Sequence, residues 1–302
     1  MKSLFIDCND QLTPVFARVH RADDPPIEVN RAPFAAEDLP RLLAGYAVCI
    51  DDHSYMPTPA IAQCRDLRHI VFLGTGAASY MNIAELNALG IAVHTIKGYG
   101  DTAVAEHTVA LMFAAARDLA RMDRGVRAGI WTPRKGVQLH GKTLGLIGIG
   151  GIGREVARIA KGIGMQVIAY NRSTLAEAPC AMVDLDDLLA HSDIVSLHLT
   201  LGEETRGFLG PARLARMKKG VILVNTARGA LVDEAAMLEA LRSGQIAHAA
   251  LDVFHAEPLS ADHPLAGMDN VTLSAHAAFR TQEASETLLR RAIDIVCRIS
   301  AA

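Results

Sequence analysis

The sequence lacks the features that mark several large classes of protein. Its five cysteines are odd in number and widely spaced, and no two of them form a C-x-x-C pair. That spacing argues against a zinc knuckle or a disulfide framework, so we expect buried thiols in a reducing cytosol and no catalytic metal. An excess of positive charge is also missing. The net charge of −3 leaves no overall field to hold the backbone of a nucleic acid.

Long hydrophobic runs are absent as well. No stretch free of Asp, Glu, Lys and Arg reaches the roughly 20 residues that a membrane-spanning helix needs. The stretch from Ile70 to Ala84 even holds two glycines. Near the start of the chain, Asp7 and Asp10 come before an apolar core of signal-peptide length develops. We therefore expect a cytoplasmic protein without a membrane partner.

The sequence does contain a regular alternation of short Val- and Ile-rich strands with helical patterns. Such alternation favours an α/β fold with parallel sheets. A chain of 302 residues, half of them hydrophobic, is long enough for about two domains with separate cores. The pattern from Ala103 to Met122 predicts one long helix that connects these domains.

A glycine-rich turn lies between a predicted strand and a predicted helix. The apolar strand at 144–147 is followed by Gly148, Gly150 and Gly153 in the spacing G-x-G-x-x-G. The first glycine permits a tight turn, the second lets a pyrophosphate approach the backbone, and the third lets helix and strand pack closely. The positive end of the helix attracts the phosphates. The sequence therefore predicts a dinucleotide site made of Gly148, Gly150, Gly151, Ile152 and Gly153.

The residues that follow the next strand bear on which dinucleotide binds. Asn171, Arg172 and Ser173 stand where an Asp or Glu would accept hydrogen bonds from the ribose 2′-hydroxyl of NAD. An amide, a guanidinium and a hydroxyl are instead suited to a 2′-phosphate. We predict that NADP(H) is favoured over NAD(H). The alternative is that Arg172 is an ordinary solvated charge and that NAD is used.

A second glycine turn lies in the front third of the chain. Leu73, Gly74, Thr75 and Gly76 lead through a helical stretch to Gly90 and a strand, as the first turn leads to Gly164. The third glycine of the motif is missing, so this turn suits a dinucleotide poorly. Its backbone amides could hold a small anion such as a carboxylate. A plain turn from strand to helix is the alternative interpretation.

Three polar residues follow three successive predicted strands near the end of the chain. They are Arg228, Glu257 and His276. Ligands of parallel sheets bind at the carboxyl ends of the strands, and this set suits the reduction of a keto acid. Arg can bind a carboxylate, His can donate a proton to the carbonyl oxygen, and Glu can orient the imidazole. Singly, each could be a surface, loop or turn residue.

Together these segments resemble the D-isomer-specific 2-hydroxyacid dehydrogenase family, particularly its glyoxylate/hydroxypyruvate reductases. The matching segments run in family order from about residue 70 to 280 and comprise 104–107, 141–144, the glycine turn, 225–229, 251–258 and the final histidine segment. The resemblance implies that Arg228, Glu257 and His276 are catalytic. It also implies that Arg228, His276 and the loop of Leu73, Gly74, Thr75 and Gly76 bind the substrate.

The resemblance further implies cofactor contacts and an architecture. The implied contacts are Val104, Thr226, Ala227 and Asp252, of which Asp252 would orient the nicotinamide carboxamide. The implied fold has two doubly wound parallel-sheet domains. Residues 1–97 with 280–302 would form a smaller flavodoxin-like substrate domain, and residues 98–279 a Rossmann dinucleotide-binding domain. A homodimer through the dinucleotide domain is also implied. One departure is Ala275, where the family usually has Pro before the histidine.

The resulting hypothesis is a reductase that transfers hydride from NADPH to a small 2-keto acid of the glyoxylate or hydroxypyruvate type. The product would be a D-2-hydroxy acid. One alternative is an NAD-linked 3-phosphoglycerate-type dehydrogenase, which would need a basic phosphate pocket. Another is a non-catalytic, NAD(P)H-sensing protein that resembles the corepressors of the family.

Overall fold

The computed structural model describes residues Met1–Ala301 and divides the chain into two units. The first unit combines Met1–Gly100 with the chain from Arg280 onward, and the second comprises Asp101–Phe279. Each unit is built around its own parallel sheet, as the alternation of strands and helices predicts. Among the described residues, no helix is both long and apolar enough to cross a membrane.

The first unit contains a five-stranded parallel sheet in the order β2-β1-β3-β4-β5. This is the flavodoxin-like order, and the order reverses between β1 and β3. The elements before the second unit are β1 (Ser3–Phe5), α1 (Leu12–Val19), β2 (Ile27–Val29), α2 (Leu39–Leu42), β3 (Val48–Asp51), α3 (Thr58–Ile61), β4 (His69–Phe72), α4 (Ile83–Ala88) and β5 (Ala92–Thr95). All four residues of β3 are buried, which is typical of a strand covered on both faces.

The second unit contains a seven-stranded parallel sheet in the order β12-β11-β10-β9-β6-β7-β8. Its elements are α5 (Asp101–Ala116), α6 (Leu119–Arg127), β6 (Thr143–Ile147), α7 (Gly151–Gly162), β7 (Gln166–Tyr170), β8 (Ala181–Met182), α8 (Leu185–His191), β9 (Ile194–Leu197), α9 (Pro211–Arg216), β10 (Val221–Asn225), α10 (Glu234–Arg242), β11 (Ile246–Leu251), α11 (Pro264–Gly267) and β12 (Val271–Leu273). This is the Rossmann order with an added edge strand, and it reverses between β6 and β9.

The prediction of one long connecting helix from Ala103 to Met122 is wrong in one respect. The structure has two helices, α5 and α6, because Asp118 adopts a left-handed backbone conformation with φ of 53°. Asp is one of the few residue types that tolerate this region. The Asp118 carboxylate accepts a hydrogen bond from Nε of Arg134 at 3.1 Å. This contact with a residue 16 positions later helps to hold the break, and no local helix pattern reveals it.

The last helix, α12 (Gln282–Ala301), belongs to the first unit. Its apolar residues Leu288, Leu289, Ala292 and Val296 pack in one core with Phe5, Val48, Ile50 and Val71 of the sheet. The guanidinium of Arg290 reaches both carboxylate oxygens of Asp24, at 2.7 and 2.9 Å. These hydrogen bonds hold the pKa of Asp24 far below its ordinary value. A largely buried ion pair thus ties α12 to the loop before β2.

We expect Asp24→Ala to destabilise the first unit by about 1 to 3 kcal/mol, because the largely buried guanidinium of Arg290 then keeps only the more exposed Asp294 as its acidic partner. Since the pKa of Asp24 is depressed in the folded state, the pair stabilises the protein fully above the unfolded pKa of about 3.9. That contribution is lost as the pH falls below this value. Urea unfolding at pH 7 and at pH 3 measures both effects. Equal pH sensitivity in the wild type and in Asp24→Asn would contradict the prediction.

Candidate active site

The glycine turn lies at the point where the strand order of the second sheet reverses. Gly148 follows β6 with φ of 101°, and a Cβ atom at this position would lie 2.5 Å from the carbonyl oxygen of His198, which follows β9. A Cβ at Gly153 would lie 2.3 Å from the carbonyl oxygen of Gly148. Both positions therefore require glycine. At Gly150 no heavy atom lies within 4 Å of the Cβ position, so a ligand can approach the backbone there.

This geometry fits the pyrophosphate of a dinucleotide. The α7 helix is 12 residues long and begins directly after Gly150, so its first amides and its positive dipole end face the open space. At Gly151, glycine is needed for a different reason. A Cβ there would lie 1.7 Å from Oδ2 of Asp101, so only glycine leaves room for this carboxylate. Asp101, the first residue of α5, was missed in the sequence reasoning. The Gly151 side of the turn is thus occupied by this carboxylate.

His276 and Glu257 form a close pair. Nδ1 of His276 lies 2.6 Å from Oε2 of Glu257. The other carboxylate oxygen, Oε1, accepts a hydrogen bond from the amide of Phe254 at 2.8 Å. Both side chains are about one third exposed, so they remain accessible from solvent. With Nδ1 engaged, the other imidazole nitrogen, Nε2, is the one available to a reacting molecule.

A buried carboxylate anchors the loop that carries His276. His276 has a left-handed backbone with φ of 49°, and its amide donates to the Asp252 carbonyl at 2.8 Å. The fully buried Asp252 carboxylate accepts from the amides of Ala277 at 3.0 Å and Ala278 at 2.9 Å. It also accepts from the hydroxyl of Ser274 at 2.6 Å. The unusual backbone of His276 is therefore fixed from both sides by Asp252.

His107 extends this network. Its Nε2 lies 3.0 Å from Oγ of Ser274 and 3.4 Å from Oδ1 of Asp252. Burial by itself raises the pKa of Asp252, but the hydrogen bonds from His107, Ser274 and the loop amides outweigh it and lower that pKa to about 2. Asp252 is thus a charged loop anchor. The contact to a nicotinamide carboxamide stays a prediction, because the Asp252 side chain has no exposed surface.

Arg228 lies on the loop beside this pair. The side chain of Asn225 clamps its turn, accepting from the Ala227 amide at 3.0 Å and donating to the Arg228 carbonyl at 2.9 Å. A Cβ at Gly229 would lie 2.1 Å from the carbonyl carbon of Phe254. The Arg228 loop is therefore pressed against the chain that leads to Glu257. Since β10, β11 and β12 are neighbours in the sheet, their ends bring Arg228, Glu257 and His276 to one edge.

Two of the predicted cofactor contacts are largely buried. The hydroxyl of Thr226 lies 2.8 Å from that of Thr108, and the exposed fractions of Thr226 and Val104 are 7% and 9%. Their side chains pack where α5 meets the ends of the central strands. Any contact of these two residues with a dinucleotide would involve little side-chain surface, so their cofactor roles stay predictions.

In the first unit, one end of the glycine turn at 73–76 is buried in the core, and the other end has backbone amides that are free to bind a ligand. Leu73 is fully buried, and its amide donates to the Asp51 carbonyl at 2.8 Å. The Gly74 carbonyl accepts from the amide of Ile96 at 2.8 Å. Within residues 1–301, the amides of Thr75 and Gly76 donate no hydrogen bond. The Leu73 side chain therefore belongs to the core, and the amides of Thr75 and Gly76 are the donors available to an anion.

Comparison with known proteins decides which family this site represents. The family model described as "D-isomer specific 2-hydroxyacid dehydrogenase, NAD binding domain" matches residues 109–278. The chain belongs to the D-isomer-specific 2-hydroxyacid dehydrogenase family. This confirms the resemblance carried by the glycine turn and by the polar residues at the strand ends, and it makes the second unit the family's NAD-binding domain.

Individual relatives agree with the family assignment. The chain is 43% identical over 246 residues to a glyoxylate reductase of Aeropyrum pernix, covering 77% of this chain and 72% of that protein. It is 39% identical over 255 residues to a D-3-phosphoglycerate dehydrogenase of Archaeoglobus fulgidus, covering 82% of this chain. The match spans only about half of that relative, 48%. A crystal structure of a glyoxylate reductase from Paecilomyes thermophila superposes with a TM-score of 0.84 at 28% identity, covering 98% and 94% of the two chains.

The loop after β7 carries Asn171, Arg172 and Ser173, which are predicted to contact the adenosine end of the cofactor. The Asn171 side chain accepts from the Ile149 amide at 3.3 Å and donates to the Ser173 carbonyl at 2.8 Å, so it ties this loop to the glycine turn. The guanidinium of Arg172 forms an ion pair with Glu204, and both side chains are about four fifths exposed. Glu204 was missed by the sequence reasoning because it lies 32 residues further along the chain.

Proposed function

We propose that the protein reduces a small 2-keto acid to a D-2-hydroxy acid, with NADPH as the favoured cofactor. The proposal rests on the contact between His276 and Glu257, in which Nδ1 lies 2.6 Å from Oε2. The loop of Arg228 packs against the chain that leads to Glu257. A bound nicotinamide dinucleotide supplies the hydride that adds to C2 of the keto acid. The protein supplies the proton, the anion contacts and the orientation of the carbonyl group.

The proton comes from His276. Its Nε2 is positioned to donate to the carbonyl oxygen as that oxygen gains electrons, while Nδ1 stays bound to Glu257. Glu257 is in turn held by the Phe254 amide, so the imidazole keeps one orientation. Arg228 binds the carboxylate and polarises the carbonyl group. One hydride at C2 and one proton at oxygen together complete the hydroxy acid.

The first unit supports a small substrate without a distal phosphate. Asp7 follows β1 and Asp52 follows β3, so two carboxylates lie at the edge where the strand order reverses. Four basic residues of the first unit could be considered for a phosphate pocket: His53, Arg65, Arg68 and His69. Two of them, Arg65 and Arg68, lie before the start of β4, at the opposite edge of the sheet, and His69 is the first residue of β4. A dianionic phosphate would therefore face like charges. This favours a glyoxylate or hydroxypyruvate type of substrate over 3-phosphoglycerate.

A substrate panel tests this proposal. We expect the purified protein to oxidise NADPH with glyoxylate or hydroxypyruvate and to be much less active with phosphohydroxypyruvate. A faster reaction with the phosphorylated keto acid would favour the 3-phosphoglycerate-type alternative. No turnover with any of these keto acids, for either NADPH or NADH, would refute the function.

The cofactor preference rests on Arg172 and its partner. A 2′-phosphate would compete with the exposed Glu204 carboxylate for the guanidinium of Arg172. We expect Glu204→Gln to tighten NADPH binding and Arg172→Asp to weaken it, each by about tenfold relative to NADH, since one charge-assisted pair is worth about 1.5 kcal/mol or more. Fluorescence titration of the apoprotein with both cofactors measures this ratio. Ratios that stay at the wild-type value in both variants would contradict the prediction.

We also propose that the protein forms a homodimer through its second unit. The segment between α5 and β6 exposes several large apolar side chains: Leu119, Val126, Ile130, Trp131 and Val137. Trp131 alone is 84% exposed. A surface of this kind on one segment is typical of an interface rather than of a monomer's exterior. A second copy of the chain is the partner that the family resemblance implies.

The double variant Ile130→Ser/Trp131→Ser tests the homodimer. We expect sedimentation velocity to show a dimer for the wild type and a shift towards monomer for the variant, because the apolar contact is lost. The single variant Met182→Ser, at an exposed apolar residue outside this segment, is the control. A monomeric wild-type protein would contradict the prediction.

A further inference from the structure

A cavity lies at the amino-terminal edge of the second sheet, and all of its lining residues belong to the second unit. Its volume is about 360 Å³, which is enough for a small molecule. Lys142, Asp193 and Gly220 line it, and each directly precedes a strand of this sheet, namely β6, β9 and β10. The glycine turn and the loop of His276 instead follow the carboxyl ends of their strands. The cavity is therefore at the opposite edge of the sheet from the candidate active site.

The sheet leaves this cavity open at its floor. The register of β10 against β11 shifts after Val221, so that Ala247 has no partner on β10. The small side chain of Ala247 is exposed and lines the cavity. At Gly220, no heavy atom lies within 4 Å of the Cβ position. A β-bulge of this kind is often found next to a functional site, and here no large side chain of the strand ends fills the space.

The lining of the cavity carries an excess of positive charge. Six cationic side chains line it: Arg121, Arg134, Lys135, Lys142, Lys218 and Lys219. Three carboxylates also line it: Asp118, Asp193 and Asp269. His248 adds no charge at neutral pH, because burial lowers its pKa. Six cations against three carboxylates give a net charge of +3 in a chain whose overall charge is −3. Such a concentration of one sign in a cleft attracts ions of the opposite sign.

Each carboxylate of the lining is already paired with one cation: Asp118 with Arg134 at 3.1 Å, Asp193 with Lys218 at 2.6 Å, and Asp269 with Arg121 at 2.6 Å. Burial by itself raises the pKa of Asp193, but hydrogen bonds from Lys218 and a backbone amide, with the nearby charge of Lys142, lower it. In the described chain, residues 1–301, the other three cations form no ion pair: Lys135, Lys142 and Lys219. Three lysines of one cavity thus have no acidic partner of their own.

We propose that this cavity binds a small anion with two or more charged groups, of the polyphosphate or the polycarboxylate kind. The three unpaired lysines repel one another, and an anion with a single charge would neutralise only one of them. An anion with several charged groups can pair with all three lysines through charge-assisted hydrogen bonds. Because the glycine turn is at the opposite edge of the sheet, the anion and the dinucleotide bind at the same time.

Isothermal titration calorimetry with tripolyphosphate and with citrate tests this inference, and the tighter of the two identifies the kind of anion. The dinucleotide that binds more tightly, NADPH or NADH, is present at saturation, so that the glycine turn is occupied. We expect one saturable site per chain, with an affinity that falls as salt is added. In Lys142→Gln/Lys219→Gln the affinity should fall by about tenfold or more, the value of one hydrogen bond between charged groups.

A control variant removes the same charge elsewhere. Lys2→Gln/Lys97→Gln replaces two exposed lysines of the first unit and should keep the wild-type affinity for the anion. Affinity for the dinucleotide should be unchanged in both double variants, which also shows that the second unit of each is folded.

Three results would overturn the inference. The first is the absence of saturable binding for both anions. The second is an equal affinity in the wild type and in Lys142→Gln/Lys219→Gln, which would place the anion elsewhere on the protein. The third is binding to Ile130→Ser/Trp131→Ser but not to the wild type, which would mean that a second copy of the chain fills the cavity. None of these results depends on turnover of a keto acid, so the proposed function is tested separately.

Discussion

Replacement of His276 by alanine is expected to lower kcat for keto-acid reduction by about 10²- to 10⁴-fold, the usual contribution of a positioned general acid. The imidazole of His276 can deliver a proton at this edge of the sheet, and its Nδ1 is held by Glu257 at 2.6 Å. The glycine turn, which binds the dinucleotide in our proposal, does not depend on His276. Affinity for NADPH should therefore stay close to that of the wild type.

Steady-state rates and a cofactor titration together check this expectation. His191→Ala, at an exposed histidine at the end of α8, is a suitable control and should keep full activity. Glu257→Gln should also lower kcat, because the amide no longer offers a charged partner to Nδ1. If kcat of His276→Ala equalled that of the wild type, His276 would not be the acid.

The second large effect is expected at Asp252. Its carboxylate is surrounded by donors from Ser274, Ala277 and Ala278. In Asp252→Asn, the amide group would turn its own N–H bonds towards at least one of these donors. The loop would shift and carry the left-handed His276 with it. A displacement of about 1 Å at a reacting group can cost about a hundredfold in rate, so we expect a loss of kcat of this size.

A double-mutant cycle distinguishes positioning from general destabilisation. If Asp252 acts through His276, then Asp252→Asn should add little to the loss of kcat already caused by His276→Ala. Ser274→Ala removes only one of the donors and should have a smaller effect on kcat than Asp252→Asn. Fully additive losses in the double variant would show that Asp252 contributes independently of His276, for example through the cofactor.

The second prediction also has a stability component. An unsatisfied buried donor costs about 1 to 3 kcal/mol, so thermal unfolding of Asp252→Asn should occur at a lower temperature. Because hydrogen bonds lower the pKa of Asp252 to about 2, this carboxylate stabilises the fold above its unfolded pKa of about 3.9. The stabilisation is lost as the pH falls towards 2. Stability that did not depend on residue 252 at neutral pH would contradict the anchor role.

Sequence patterns predicted the parts of the molecule that are determined by residues close together along the chain. The glycine spacing from Gly148 to Gly153 sits between a strand and a helix only a few residues away, so periodicity located the turn and its sheet edge. The same reasoning found Arg228, Glu257 and His276, because each lies within six residues of the end of a strand. Parallel strands that are neighbours end at the same edge of their sheet, and ligands bind at that edge. The sequence order of the three strands therefore predicted that these residues lie close together.

What the sequence did not predict depends on contacts between distant positions. Glu204 pairs with Arg172 across 32 residues, and His107 meets Ser274 across 167 residues. The break at Asp118 depends partly on Arg134. No periodicity encodes such pairs, since each partner looks like an ordinary polar residue in its own segment. The burial of Asp252 and the role of Asp101 at Gly151 became visible only once the chain was folded.

The most direct test of the central claim follows the hydride and the proton separately. The protein is incubated with a 2-keto acid and with NADPH that is deuterated on the transferable position of the nicotinamide ring. The account predicts a D-2-hydroxy acid that carries deuterium at C2, formed in the wild type and nearly lost in His276→Ala. An L-configured product, a product without deuterium at C2, or undiminished formation in His276→Ala would contradict it.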